Sequence, residues 1–157
     1  MPQSVDPIAH IQSMIDAEPD ISQAPPYVRG MDLSGLKFTA VGPGRFEMEW
    51  TIGPHLTHYD GIVQGGVVNV IAASGQSFAF WTTATEDETY STAEFTTRFF
   101  RPMKAERVIR VVSEVVNRSR RLGVIESRFE DMESGKLCAI VTGTWMPTKR
   151  DFDRHES

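Results

Sequence analysis

The segment from His58 to Trp81, HYDGIVQGGVVNVIAASGQSFAFW, restricts this chain more than any other. It opens on a turn punctuated by Gly61, Gly65 and Gly66 and runs directly into an apolar helix, expected from about Gly65 to Thr83. The run from Val67 to Trp81 carries Asn69, Ser74, Gln76 and Ser77 and falls short of the ~20 residues needed to span a bilayer. It is also too apolar to lie on a surface, so it must be covered on most sides. The rest of the chain must therefore wrap around it.

The flanking sequence supplies strands for that purpose. Leu36–Val41 reads as a short strand and Gly42-Pro43-Gly44 as a turn. From Arg45 to Ile52 the residues alternate, with Phe46, Met48, Trp50 and Ile52 on one side, which is the pattern of a half-buried strand. After an acidic turn at Thr85–Thr89, four more strands are expected: Tyr90–Arg101, Arg107–Asn117, Arg121–Asp131 and Leu137–Met146. The last pair is joined by a hairpin turn at Glu133-Ser134-Gly135-Lys136. An N-terminal helix at about 5–17, capped by Ser4 or Asp6 and carrying Ile8, Ile11, Met14 and Ile15, precedes an irregular link through Pro19, Pro25 and Pro26. Residues 1–157 form one α+β domain: a core at about 35–147, a loose tail at 148–157, and an antiparallel sheet of about six strands curled around one buried helix. One chain leaves a helix face or a sheet edge open, so a homodimer or a homotetramer is expected.

Composition narrows the function classes. The net charge of −5 offers no overall basic field for a nucleic-acid backbone. The single cysteine, Cys138, can form neither an internal disulfide nor a cysteine metal cluster, and it points to a reducing cytoplasm. The N-terminus has no basic start followed by an apolar run, so neither a signal peptide nor membrane insertion is expected. His10, His55, His58 and His155 are too scattered to suggest a metal site.

The glycine pair has a direct chemical reading. Backbone N–H groups at a helix start are unsatisfied, and the helix dipole adds positive potential there. Gly65 and Gly66 can thus meet a ligand oxygen, or they can simply allow tight helix packing. Gln64 can hold a water or cap the helix. Counted by helical spacing, Asn69, Ala73, Gln76, Ser77 and Phe80 share one face.

The motifs resemble, in order, those of the hotdog-fold small acyl-CoA thioesterases of the phenylacetic-acid-degradation type. The family's Asn-x-x-Gly-x-x-His/Gln-Gly-Gly turn is matched by His58-Tyr59-Asp60-Gly61-Ile62-Val63-Gln64-Gly65-Gly66. Its Thr-x-Glu strand ending in Arg-Pro is matched by Thr92-Ala93-Glu94-Phe95 through Arg101-Pro102. A basic turn follows at Asn117–Arg121, then Gly135-Lys136-Leu137-Cys138-Ala139 and Thr142-Gly143-Thr144-Trp145. The resemblance covers roughly residues 35–147. It implies a hotdog fold and an acyl-CoA substrate, with coenzyme A as part of the substrate and no separate cofactor. It also implies that the Gly65 and Gly66 N–H groups hold the thioester carbonyl as it becomes an oxyanion, with Gln64 orienting it.

Two departures matter. The family's Asn is His58, and the carboxylate nine residues after the His or Gln of the turn is Ala73. No Asp or Glu stands between Gly65 and Ala84. A base must then come from His58 or Asp60 in the loop, with Thr92 placed to assist water. Asn69, Ser74 and Ser77 are candidates for binding substrate. Arg98, Arg101, Arg118, Arg120 and Arg121, with Lys104, are candidates for the coenzyme A phosphates. The alternative to hydrolysis is a hotdog protein that binds acyl-CoA as a carrier or sensor. A dehydratase is a third reading, for which the Asp…His pair is not evident.

Overall fold

The computed structural model describes residues 5–149. Helix α1, Pro7–Asp16, starts where Asp6 accepts the Ile8 N–H at 3.0 Å, with Pro7 in the first turn. Ile11 is its buried anchor. Ser4, the other candidate cap, lies outside the described residues, as does His155.

The proline link is more ordered than its sequence suggests. Asp20 caps a single 3-10 turn, Ile21–Gln23, and a short helix α2 spans Pro26–Gly30. Pro26 in the first turn of α2 costs no hydrogen bond, because that N–H would have no helical partner anyway.

Strands β1 (Leu36–Gly42) and β2 (Arg45–Thr51) form a hairpin through Gly44 at φ +66°, a conformation that favours glycine. Two 3-10 turns, Pro54–Leu56 and Tyr59–Gly61, lead to helix α3, Gly65–Trp81. Strands β3 (Glu88–Phe99), β4 (Val108–Arg118), β5 (Gly123–Asp131) and β6 (Leu137–Lys149) complete one antiparallel sheet in the order β1-β2-β4-β5-β6-β3. β3 begins two residues before Tyr90. β6 runs past Met146 through Thr148 and Lys149, which pair with Thr89 and Glu88, so residues 148 and 149 of the expected tail belong to the sheet. Residues 150–157 lie outside the described residues.

The sheet wraps α3 because alternation on each strand points its apolar residues inward. On β2, Phe46, Met48 and Trp50 are fully buried, and Met48 pairs with Val111 and Trp50 with Ile109 of β4. Glycines let helix and sheet approach. A Cβ on Gly75 would stand 2.6 Å from Ser113 Oγ, and one on Gly123 would overlap the Phe80 ring.

Under the helix lies a buried polar network. Gln76 Nε2 donates to Ser127 Oγ (3.1 Å) and to the Val141 carbonyl (3.0 Å), while its Oε1 accepts from Trp145 Nε1 (2.8 Å). Ser113 and Ser127 hydroxyls pair at 2.7 Å. Every polar atom of the Gln76 side chain is thereby partnered, which makes its complete burial tolerable.

This settles the helix face. Gln76 and Phe80 are fully buried, whereas Asn69, Ala73 and Ser77 are half-buried. Spacings of three and four put all five on one side of a helical wheel, but contact with the curled sheet divides them. Gln76 and Phe80 point into the core, and the partly open stripe is Asn69, Ala73 and Ser77.

Candidate active site

The loop before α3 is held at both margins. Thr57 bridges Val63, the His58 N–H donates to the Ile62 carbonyl (2.9 Å), and the Val63 N–H donates to the Met103 carbonyl (2.8 Å). These bonds aim the chain into α3 at Gln64. Gln64 Oε1 accepts from the Gly66 N–H (2.5 Å) and the Val67 N–H (3.3 Å), so its side chain caps the helix. The Gly65 N–H has no partner among the described residues. One N–H of the glycine pair, not two, is thus open to a ligand.

Gly65 itself lines an apolar cleft of about 360 Å³, together with Ile62, Phe99, Phe100, Arg101 and Met103, among others. The Phe99 ring stands directly over the glycine, where a Cβ on Gly65 would lie 3.3 Å from its Cζ. An apolar slot with a bare N–H at a helix start suits a carbonyl attached to an acyl chain. A second cleft, lined by Glu49, Glu106 and Glu133 with Arg107 and Met132, is acidic. Its Arg107 is committed to Asp131 and Glu133, so the carboxylates would repel coenzyme A phosphates.

His58 Nδ1 lies 2.8 Å from the Tyr59 carbonyl, which can only accept. The proton therefore sits on Nδ1, and Nε2 keeps its lone pair in the neutral ring. Asp60 is exposed at the loop tip with φ 69° and makes no hydrogen bond to His58. His55 is used elsewhere, its Nε2 meeting the Met31 and Asp32 carbonyls at 3.0 and 2.9 Å.

On the stripe, Asn69 Oδ1 accepts the Thr97 hydroxyl of β3, and the Ser77 hydroxyl reaches Tyr90 OH at 3.4 Å. Ser74 turns away to bond Tyr27 OH at 2.7 Å and the Val70 carbonyl at 3.1 Å. It faces α2, not the cleft, because one residue along a helix rotates a side chain by about 100° from Ala73. Thr92 pairs with the buried Trp145, so its side chain shares the inner face of the edge strand, though Thr92 itself is exposed.

The arginines separate. Arg101 lines the cleft and donates to the Leu137 carbonyl at 2.7 Å. Arg98 pairs with Ile140 on the outer face. Arg118 is occupied: it bonds Glu88 and Thr83, and its guanidinium carbon stands 4.6 Å from the centre of the Phe80 ring. Arg120 and Arg121 occupy the β4–β5 turn near the C-terminal end of α3, and both are exposed. With 17 residues in α3, the two ends lie about 25 Å apart. Among the described residues no three His, Cys, Asp or Glu side chains stand together as a metal site would require.

A family model for the thioesterase superfamily matches residues 60–138. No curated protein matches the chain by sequence. Solved structures do match. A thioesterase family protein from Silicibacter pomeroyi is 23% identical, with a TM-score of 0.72 over 83% of this chain and 93% of that one. Thioesterase superfamily member 2 from zebra fish gives a TM-score of 0.74 at 17% identity, covering 90% and 97%. A phenylacetic acid degradation-related protein from Ralstonia eutropha is 24% identical, with a TM-score of 0.70 over 86% and 97%. These likenesses establish the expected hotdog fold, a six-stranded antiparallel sheet on a central helix.

Proposed function

The chain belongs to the thioesterase superfamily, and from that premise we propose that it hydrolyses acyl-CoA thioesters at the N-terminus of α3. The observation that carries this reading is Gly65, a residue with an unpartnered N–H at a helix start, in the wall of an apolar cleft. The acyl chain occupies the cleft, and the thioester carbonyl oxygen accepts from the Gly65 N–H. Water adds to the carbonyl carbon and the oxyanion forms against that N–H and the helix dipole. Collapse breaks the C–S bond, releasing the carboxylic acid and coenzyme A.

The proton of the attacking water needs an acceptor, and α3 holds no carboxylate. His58 Nε2 is the group we assign, because its tautomer leaves a free lone pair and its backbone bonds to Ile62 of the cleft wall. Asp60 is the alternative base, and the Thr92 hydroxyl assists water. Arg101 is the arginine nearest the cleft and takes the coenzyme A phosphates first. The working form is a homodimer or a tetramer, and the buried lone Cys138 fits the reducing cytoplasm.

Ala73 favours a second reading, a carrier or sensor that binds acyl-CoA without turnover. Thiol release from a panel of acyl-CoAs separates the two. We expect turnover, with His58→Ala lowering kcat at least tenfold, in line with the ~10²–10⁴ ascribed to general acid–base catalysis. Tight binding of the same panel without release of any thiol would leave only the carrier reading.

A further inference from the structure

We propose that Asn69, held by Thr97, is a second carbonyl-orienting residue, its side-chain N–H donating with the Gly65 N–H to the same thioester oxygen; this rests on the hydrolase reading above.

Asparagine is a poor choice for the middle of an apolar helix on propensity alone. Asn69 is half-buried, and its Oδ1 is occupied by the Thr97 hydroxyl. That bond ties the oxygen end of the carboxamide to β3. Nδ2 is left without a partner among the described residues.

Its direction follows from helix geometry. Asn69 lies four residues after Gly65, on the same face, and helical side chains lean toward the N-terminus, over the preceding turn. The carboxamide therefore leans toward Gly65. The strand side has the same order. Thr97 stands two residues before Phe99 on the inner face of β3, and Phe99 covers Gly65. Asn69–Thr97 is thus the next rung of the α3–β3 seam after Gly65–Phe99.

This rung also answers a deficit. Gln64 has taken the Gly66 N–H, so the helix start offers one backbone donor where the glycine pair suggested two. Asn69 restores the second from the side. Ala73, one turn further, brings no negative charge against the developing oxyanion.

Asn69 is a catalytic residue in this scheme because it touches the reacting carbonyl, and Thr97 is a positioning residue that acts through it. The test compares wild type with Asn69→Ala, Thr97→Val and Thr97→Ser. It reads kcat and KM on an acyl-CoA, and the infrared carbonyl stretch of a bound ketone analogue in which CH2 replaces the thioester sulfur and the carbonyl is labelled with ¹³C. We expect Asn69→Ala to lower kcat by roughly 10² or more, as removal of one oxyanion donor does. KM should stay within about threefold, since the donor acts mainly on the transition state. The carbonyl stretch should move to higher frequency as a hydrogen bond is lost. Thr97→Val should give a smaller loss of the same kind, and Thr97→Ser should restore both readouts.

An unchanged kcat and carbonyl stretch in Asn69→Ala overturns the proposal and leaves the hydrolase reading standing. If wild type binds acyl-CoA without releasing thiol, the hydrolase reading fails, and the stretch of the bound analogue alone decides for or against Asn69. If it neither binds nor hydrolyses acyl-CoA, both fall. Should Asn69→Ala not fold, Thr97→Val carries the test, because the carboxamide remains in place, and an unchanged kcat and stretch there overturn the proposal.

Discussion

Two glycines with the same missing side chain do opposite jobs. Gly65 leaves space open in the wall of the cleft. Gly143 keeps space filled, since a Cβ there would overlap Gln76 Oε1 and stand 2.8 Å from Trp145 Nε1. Gly65→Ala meets only the rim of Phe99, a ring that is 51% exposed. We expect its melting temperature to stay near wild type while kcat/KM falls at least tenfold, because a small displacement of the carbonyl is costly in rate. Gly143→Ala should instead push the Gln76 carboxamide out of its network and leave the Trp145 N–H buried without an acceptor. A buried unsatisfied group costs about 1–3 kcal/mol, so calorimetry should show a melting temperature lower by roughly 5 °C. An unshifted Gly143→Ala melt would mean that the network is not rigid. The sequence shows the Gly65–Gly66 pair openly, because a local motif announces it. Gln76 gives no such sign: its partners are 51 to 69 residues away in the chain, and only the folded sheet assembles them. The same distance explains Asn69, whose Thr97 partner is 28 residues on.

Elements are legible where their periodicity is undisturbed. The two-residue alternation of β2 marks which residues meet the core, and the six strands fall where alternation and turn residues place them. What escapes is set by neighbours. α2 hides behind paired prolines that also read as a link, and its place is secured by Tyr27 reaching Ser74. The joint between the start of β3 and the end of β4 is another such case. Arg118 from β4 bridges to Glu88 of β3, and both side chains are less than one-fifth exposed. Burial pushes the Glu88 carboxyl up, but the Thr85 hydroxyl and the Arg118 guanidinium outweigh it and hold the group below the ordinary glutamate range. A carboxyl depressed in the folded state contributes stability above its unfolded value, near 4.3, and loses it as pH falls through the folded value. Glu88→Gln should therefore be less stable at neutral pH by about 2 kcal/mol, the scale of a hydrogen bond to a charged group. The gap should begin to narrow as pH falls below the unfolded value and go on narrowing toward the depressed folded value. Urea titrations of both proteins at pH 7 and pH 3.5 measure it, and an equal gap at both values would remove Glu88 as the cause.

For the whole molecule, the open question is what covers β3. It is a strand of 12 residues at the sheet edge, paired on one side with β6. An edge of that length invites a second strand, and the half-buried α3 stripe lies beside it. A second copy pairing β3 to β3 around a two-fold axis would run antiparallel. Pairing of this kind reverses one chain against the other. It brings the end bearing the β4–β5 turn, with Arg120 and Arg121, toward the end where the first copy's Gly65 cleft opens. That resolves a difficulty within one chain, where these arginines lie at the far end of a helix about 25 Å long. Light scattering should then give a mass of twice the 17.6 kDa chain or a multiple of it. Amide exchange provides the sharper measurement. In a monomer, alternate β3 amides point away from β6 and exchange freely, whereas edge pairing protects both sets. With that pairing, the double variant Arg120→Ala/Arg121→Ala should raise KM for acyl-CoA at least several-fold and leave kcat and the melting temperature unchanged, because the side chains are solvent-exposed and would meet only the phosphates. Alternating exchange along β3 in a monomeric protein, with KM unaffected by the arginine changes, would leave β3 a bare edge and assign phosphate binding to Arg101 alone.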